Sequence, residues 1–251
     1  METSAANFLQ QASLGQNALS PRMEVHIVDK NDIFYRKGRV LAEEVYRQVW
    51  KTEHLIDGND YAIVVSQNGS VVGNINLQLR SEKRLLKSEI FFNPEHWHNY
   101  FQGSPINVAE LSALALSDDL ESEIRRPIMM MLILGTQILS RALDIQFYAT
   151  IQHDFLMRIL TKSLQLPFFR NENSSLPQGQ VPNDLYWNRQ EPPKLYYLDP
   201  KNSEVINACT LFFSYLHVTG IQTSFLPRIK TNNISFSTFK KNWDRETLVC
   251  H

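Results

Sequence analysis

Asn68-Gly69 sits between two runs of alternating polarity, Tyr61 to Ser66 and Val71 to Leu79. Both residues accept positive φ, so the pair closes a two-residue turn whose twist suits paired strands. The chain must therefore carry an antiparallel hairpin, and the rest of the fold has to pack around it.

The flanking pattern is mixed. Met23 to Val28 alternates like a half-buried strand, and Asp32 can cap a helix carrying Ile33, Val40, Leu41, Val45 and Val49 as far as Trp50. After the hairpin come a basic stretch, Arg80 to Lys87, the apolar Ile90 to Phe92, and a short aromatic segment from Pro94 through Trp97 to Phe101. Val108 to Leu116 reads as a strand, followed by an acidic loop, Asp118 to Glu123. Pro127 suits the first turn of a helix running to about Leu143, apolar on every side at first and so packed between layers. Ile145 to Ile151 reads as a central strand, Asp154 as the cap of a helix to Ser163, and Asn171 to Asn183 as an exposed loop. Leu195 to Leu198 predicts a strand and Glu204 to His217 a helix; beyond Gly220 no element is assigned.

This order predicts a three-layer α/β/α sandwich with a mixed central sheet. Residues 1–20 are expected to be a flexible segment, 21–200 the main domain, and 201–251 a helix and tail packed on it.

Composition narrows the function classes. A net charge of −1 argues against a general nucleic-acid or membrane-surface binder. Cys209 and Cys250 form neither a disulfide framework nor a zinc-site spacing, which suits a reducing compartment. Met1 to Leu19 lacks the pattern of a secretory signal, and the most apolar run, Ile128 to Leu134, is too short to span a bilayer. A cytoplasmic protein with no transmembrane segment is expected.

Several residues could carry chemistry. Glu110 lies inside the apolar run Val108 to Leu116, so it is either paired or raised in pKa, both suited to acid–base work; a solvent-facing or salt-bridged Glu fits the same pattern. Asp57 and Asp60 could orient an amine or a metal, or simply serve a tight turn in Asp57-Gly58-Asn59-Asp60. Arg125 and Arg126 could meet a phosphate at the helix start, or balance Asp118, Asp119, Glu121 and Glu123. His96 and His98 read as surface imidazoles and His153 as part of a helix cap, and no metal site is expected. Neither a glycine-rich phosphate loop nor a serine-nucleophile turn occurs.

The succession Asp57-Gly58-Asn59-Asp60, Val72-Gly73-Asn74-Ile75-Asn76-Leu77 and Ala109-Glu110-Leu111-Ser112 resembles that of the acyl-homoserine lactone synthases. The related N-acyl amino acid synthases are similar; all belong to the GNAT (acyl-CoA N-acyltransferase) superfamily. Thr150 to Leu164 and Leu195 to Asp199 resemble the family's late strand, helix and last common strand, so the likeness covers Phe34 to Asp199. Two positions depart from it. The family carries arginines where this chain has Asn76 and Ala113, and neither an amide nor a methyl supplies a bidentate cation. The resemblance therefore implies the fold and acyl transfer to an amine rather than the lactone product, and a catalytically degenerate member binding an acylated ligand is the alternative.

The resemblance further implies a gap between two central strands that admits a pantetheine arm from an acyl carrier protein or coenzyme A thioester, with no permanently bound cofactor. Glu110 would be the base or polar anchor; Asp57, Asp60, Asn76 and Ser112 would hold the acceptor. Leu114, Leu116, Arg125, Arg126, Phe147 and Thr150 would hold the donor, with the strand near Leu116 offering N–H groups to the thioester carbonyl. Arg126-Pro127-Ile128-Met129-Met130 lacks the glycines of the usual pyrophosphate loop, which favours acyl carrier protein as donor. Met129, Met130 and Met131, facing Phe147, would line an acyl pocket or serve as ordinary core.

Overall fold

A computed structural model describes residues 22–56, 58–81, 83–92, 107–171 and 181–229. The N-terminal segment, Asp57, His96, His98 and Cys250 lie outside these residues.

The hairpin forms as the turn chemistry dictates. Strands β2 (Tyr61–Gln67) and β3 (Ser70–Leu79) pair antiparallel, and Asn68 and Gly69 both have positive φ, 51° and 84°. Around it an eight-stranded sheet runs in the order β6-β7-β5-β4-β3-β2-β1-β8. The remaining strands are β1 (Arg22–Asp29), β4 (Val108–Leu116), β5 (Phe147–Gln152), β6 (Phe169–Arg170), β7 (Lys194–Leu198) and β8 (Gln222–Arg228). The β4–β5 and β1–β8 pairs are parallel and the others antiparallel, giving the expected mixed sheet.

Helices cover both faces because neighbouring residues of β2 point opposite ways. Helix α1 (Ile33–Trp50) lies over Val64 and α3 (Ser122–Ala142) over Ile63. Each approaches through a glycine. A Cβ on Gly38 would come within 2.7 Å of Val64 Cγ2, and one on Gly135 within 2.4 Å of Ile63 Cγ2. That closeness explains a correction to the apolar stripe of α1. Gly38 and Ala42 face the sheet, whereas Ile33, Val40 and Val49 are 52%, 54% and 47% exposed. Small residues mark the closest approach, while Leu41 and Val45 of the expected stripe do pack inward, beside Ala42, Ala113 and Ala115. Asp32 caps α1 as expected, its carboxylate accepting from Phe34 N–H at 2.7 Å.

Three further boundaries differ from the sequence reading. Helix α3 starts at Ser122, so Pro127 is internal and Arg125 and Arg126 belong to its opening turns rather than preceding it. Proline removes one N–H but does not prevent helix before it when the preceding turn is otherwise anchored. Here Arg125 donates to the carbonyls of Leu120 and Asp118, at 3.2 and 2.9 Å. Helix α4 (Asp154–Arg158), continuing as a π-helical turn (Ile159–Ser163), has His153 at its N-cap; the Asp154 carboxylate bonds instead to Lys194 and Tyr196 of β7. Asn171 is fully buried, bonded to Leu195 O and Tyr197 Oη, not part of an exposed loop.

Two elements close the picture. Short helix α2 (Lys87–Phe91) lies on the α1 side of the sheet, and α5 (Ser203–Val218) packs on α3. Strand β8, unassigned from sequence, adds parallel to β1 at the sheet edge, where its Pro227 is tolerated. Among the described residues no helix is long and apolar enough to cross a membrane.

Candidate functional site

The site begins with a fault in the sheet. Asn74 pairs with Ala115 and Asn76 with Ser112, so Ala113 and Leu114 together oppose the single Ile75. This is a β-bulge, and Ala113 takes φ 51°, a conformation uncommon for a residue with a Cβ. The Asn74 side chain holds it there, donating to Ala113 O at 2.9 Å and to Asn76 Oδ1 at 2.8 Å. On its other edge, β4 pairs with β5 only from Val108 to Leu111, opposite Phe147 to Thr150. Past that point the strands separate, and among the described residues the β4 edge from Ser112 to Leu116 has no strand partner on the β5 side.

Among the described residues, three cavities with shared walls border this separation. A cleft of about 560 Å³ is bounded by α1 (Val45, Tyr46, Val49, Trp50), the bulged strand (Leu114, Ala115, Leu116), α3 (Arg125, Arg126, Met129) and the start of α4 (His153, Phe155). A cavity of about 90 Å³ lies on the α1 side; its polar groups come from Arg39, Lys87, Glu110, Ser112, Asp184 and Tyr186, set among apolar walls that include Leu55, Ile56, Phe91 and Ile151. An apolar cavity of about 40 Å³ lies on the α3 side, lined by Leu111, Leu114, Met129, Leu132, Thr136, Thr150 and Phe168.

Glu110 is 2% exposed and accepts a hydrogen bond from Ser88 N–H at 2.7 Å. Burial raises its pKa above the ordinary carboxylate range, against the opposing pull of Lys87 and the Ser88 N–H. Lys87 Nζ reaches Ser112 Oγ at 3.3 Å, and Ser112 Oγ donates to Asn59 Oδ1 at 3.2 Å. An acid–base group, a cation and a hydroxyl thus line one small chamber.

The chamber is roofed by a strap, residues 181–193, whose role sequence reasoning missed. Leu185 N–H donates to Trp50 O, and Asp184 accepts from Thr52 Oγ1 at 2.8 Å and from the Tyr186 and Trp187 N–H groups. Tyr186 donates to Ile151 O and lies 3.3 Å from Gln152 Oε1. Burial pushes its phenol far above the usual value, as it does that of Tyr46, so both hydroxyls stay protonated. His153 stacks on Trp50, with ring centres 5.0 Å apart, and burial lowers its pKa, leaving it neutral. The adjacent Tyr186-Trp187 pair within a polar stretch was the available signal.

The remaining candidates divide clearly. Leu114 and Leu116 line the cleft, Thr150 the apolar cavity, and Ser112 both the polar and the apolar one. Arg125 and Arg126 lie at the cleft, although each already donates to carbonyls, Arg126 to Ser163 O at 3.3 Å. Asp60 is engaged by Leu79 N–H and by Arg84, fastening the hairpin to the segment after it, and lines none of the three cavities. Asn76 is buried, bonded to Asn74, and likewise lines none of them. Phe147 does not face the methionines. Strand alternation puts it with Ala149 and Ile151 against Leu86 and Trp187, while Met129 to Met131 pack on the opposite face. Of those methionines, Met129 lines a cavity and Met130 and Met131 are core. Cys209 is buried, its thiol pushed up to about 12, and is unreactive. Among the described residues no group of three or more His, Cys, Asp or Glu could hold a metal.

No family model matches the chain, and no curated protein matches it. Solved structures do. The acyl-homoserine lactone synthase LasI superposes with a TM-score of 0.53 at 14% identity, covering 74% of this chain and 94% of LasI. The CoA-dependent acyl-homoserine lactone synthase BjaI, solved with MTA, gives 0.55 at 12% identity, covering 88% and 99%. MesI, another CoA-dependent acyl-homoserine lactone synthase, gives 0.50 at 15% identity, covering 82% and 100%.

Proposed function

We propose that this chain, which has the fold of the acyl-homoserine lactone synthases, is an N-acyltransferase. In this reading it moves an acyl group from an acyl carrier protein or coenzyme A thioester to the amine of a small, amino-acid-like molecule. One observation carries the reading. The unpaired β4 edge beyond Leu111 borders a cleft that shares Tyr46, Gln152 and Tyr186 with the chamber lined by the buried Glu110.

The chemistry follows from the three cavities. The cleft between α1 and α3 accommodates a pantetheine arm, with Arg125 and Arg126 near its mouth for a phosphate. The acyl chain turns past Leu114 and Met129 into the apolar cavity. The acceptor occupies the polar chamber, where groups of both signs, Arg39 and Lys87 against Glu110 and Asp184, suit a zwitterion. Glu110 takes the amine proton as the nitrogen attacks, its raised pKa making it a stronger base than an exposed carboxylate. Holding amine and thioester together in one site supplies much of the acceleration. Acyl carrier protein remains the favoured donor on the glycine-free opening of α3, while BjaI and MesI are CoA-dependent. We assign the reaction to the cytoplasm and the site to a domain spanning residues 21–200, with the helix Ser203–Val218 and the strand Gln222–Arg228 packed on it.

The test is incubation with acyl-carrier-protein and acyl-CoA thioesters plus a pool of amino acids and amines, followed by thiol detection and mass spectrometry. An N-acyl product with release of one thiol per amide supports the reading; no thiol release with any donor overturns it. Asn76 and Ala113, standing where the family has arginines, favour a second reading as an acyl-ligand-binding protein. Tight thioester binding without turnover would support that one.

A further inference from the structure

In acyl transfer the tetrahedral intermediate joins the pantetheine sulfur, the acyl chain and the acceptor nitrogen at one carbon. If each occupies its own cavity, that carbon must sit where the three cavities meet. Tyr46 and Tyr186 line the cleft and the polar chamber, Leu114 and Met129 the cleft and the apolar cavity, and Leu111 and Ser112 the other two. Among the described residues Gln152 alone lines all three.

Its carboxamide is also oriented. Thr150 Oγ1 donates its only proton to Leu111 O at 3.0 Å, so toward Gln152 it can only accept, and Gln152 Nε2 lies 3.2 Å from it. Gln152 Oε1 lies 3.3 Å from the Tyr186 hydroxyl, whose one proton goes to Ile151 O, so the Thr150 contact alone sets the direction of the amide. A primary amide has two N–H groups, and this arrangement uses one. The residue is 7% exposed, at the last position of β5, across the gap from the unpaired β4 edge.

We infer that Gln152 is a catalytic residue whose second N–H donates to the thioester carbonyl oxygen and to the oxyanion it becomes. The inference rests on the acyl-transfer reading. The amine lone pair forms the C–N bond while the C=O π pair moves onto oxygen, where the Gln152 N–H receives it. The oxyanion then collapses, re-forming C=O and breaking C–S. The nitrogen's proton passes to Glu110, and the thiolate takes up one proton, that of Glu110 or one from solvent to which Glu110 returns its own, so thioester and amine become amide and thiol. A fixed donor aimed at the developing charge stabilises the oxyanion more than the ground-state carbonyl, so its removal lowers kcat and leaves donor binding nearly unchanged.

The experiment takes the full chain, the most active acyl-CoA or acyl-carrier-protein thioester with its acceptor, and the near-isosteric Gln152→Met. The expected result is a fall in kcat of about a hundredfold with the donor KM within about twofold. A folded Gln152→Met with wild-type kcat, or one changed only in KM, overturns the inference. Gln152→Glu, which keeps one oxygen and replaces the donor by an acceptor, should be at least as slow and serves if the Met variant does not fold. A third readout needs no variant. The infrared carbonyl stretch of the ¹³C-labelled thioester, bound to wild type without acceptor, should shift to lower frequency than in water, and no shift overturns the inference. A wild type that releases no thiol would remove the acyltransferase reading itself; an active wild type indifferent to Gln152 would remove only this residue's role.

Discussion

Ser88 presents its backbone N–H to Glu110 Oε2 at 2.7 Å, and that bond joins the short helix α2 to the strand that borders the site. With the larger pull of Lys87 it offsets part of the burial that raises the carboxyl's pKa, and it fixes which way the side chain faces.

Glu110→Gln keeps the size and retains an oxygen for the Ser88 N–H, so the fold should persist while the base is lost. The expected fall in kcat is at least about tenfold, toward the hundredfold or more that a positioned base contributes. Steady-state kinetics beside a circular dichroism melt checks this, and wild-type rates in the variant would remove Glu110 from the mechanism. The wild-type rate should rise with pH through an inflection above the ordinary carboxylate range, and the Gln variant should lack it.

The same shift predicts a stability difference with a definite sign. A raised carboxylate pKa means the folded state holds its proton longer than the unfolded one. Wild type therefore loses stability, relative to Glu110→Gln, as pH rises from the unfolded pKa through the folded one. Urea titrations should find the gap between the two proteins wider at neutral pH than in the acidic range, where both states are protonated. A gap independent of pH would contradict the assignment.

Gly135→Ala places a methyl 2.4 Å from Ile63 Cγ2 in a sealed layer. Overpacking of this kind costs about 1–3 kcal/mol, more than the helix propensity that alanine restores. The melting temperature should drop, and Ile63→Ala in the same chain should cancel part of the loss, measured as a double-mutant cycle. Additive effects would place the clash elsewhere.

Met129 lines both the cleft and the apolar cavity, so Met129→Trp should block the passage between them. Transfer of long acyl chains should fall about tenfold or more in kcat/KM while an acetyl donor is affected far less, since about 1.4 kcal/mol of lost contact is already tenfold. Equal losses across chain lengths would show that the chain does not pass Met129.

Hairpin, cap and strand alternation were legible in the residues because each is set by neighbours a few positions apart. Asn68-Gly69 needs only its own φ preferences, Asp32 only Phe34 N–H, and Glu110 only its apolar surroundings to be marked as unusual. Long-range contacts decided the rest. Ala113 takes its positive φ because Asn74, on another strand, binds its carbonyl; β8 exists because β1, some two hundred positions earlier, offers an edge; and Gln152 reaches three cavities because β4 and β5 separate after Leu111. Local dihedral and polarity preferences act within a few residues and so are written along the chain. The junction of cavities is a property of how distant surfaces fit, and only the packed molecule contains it.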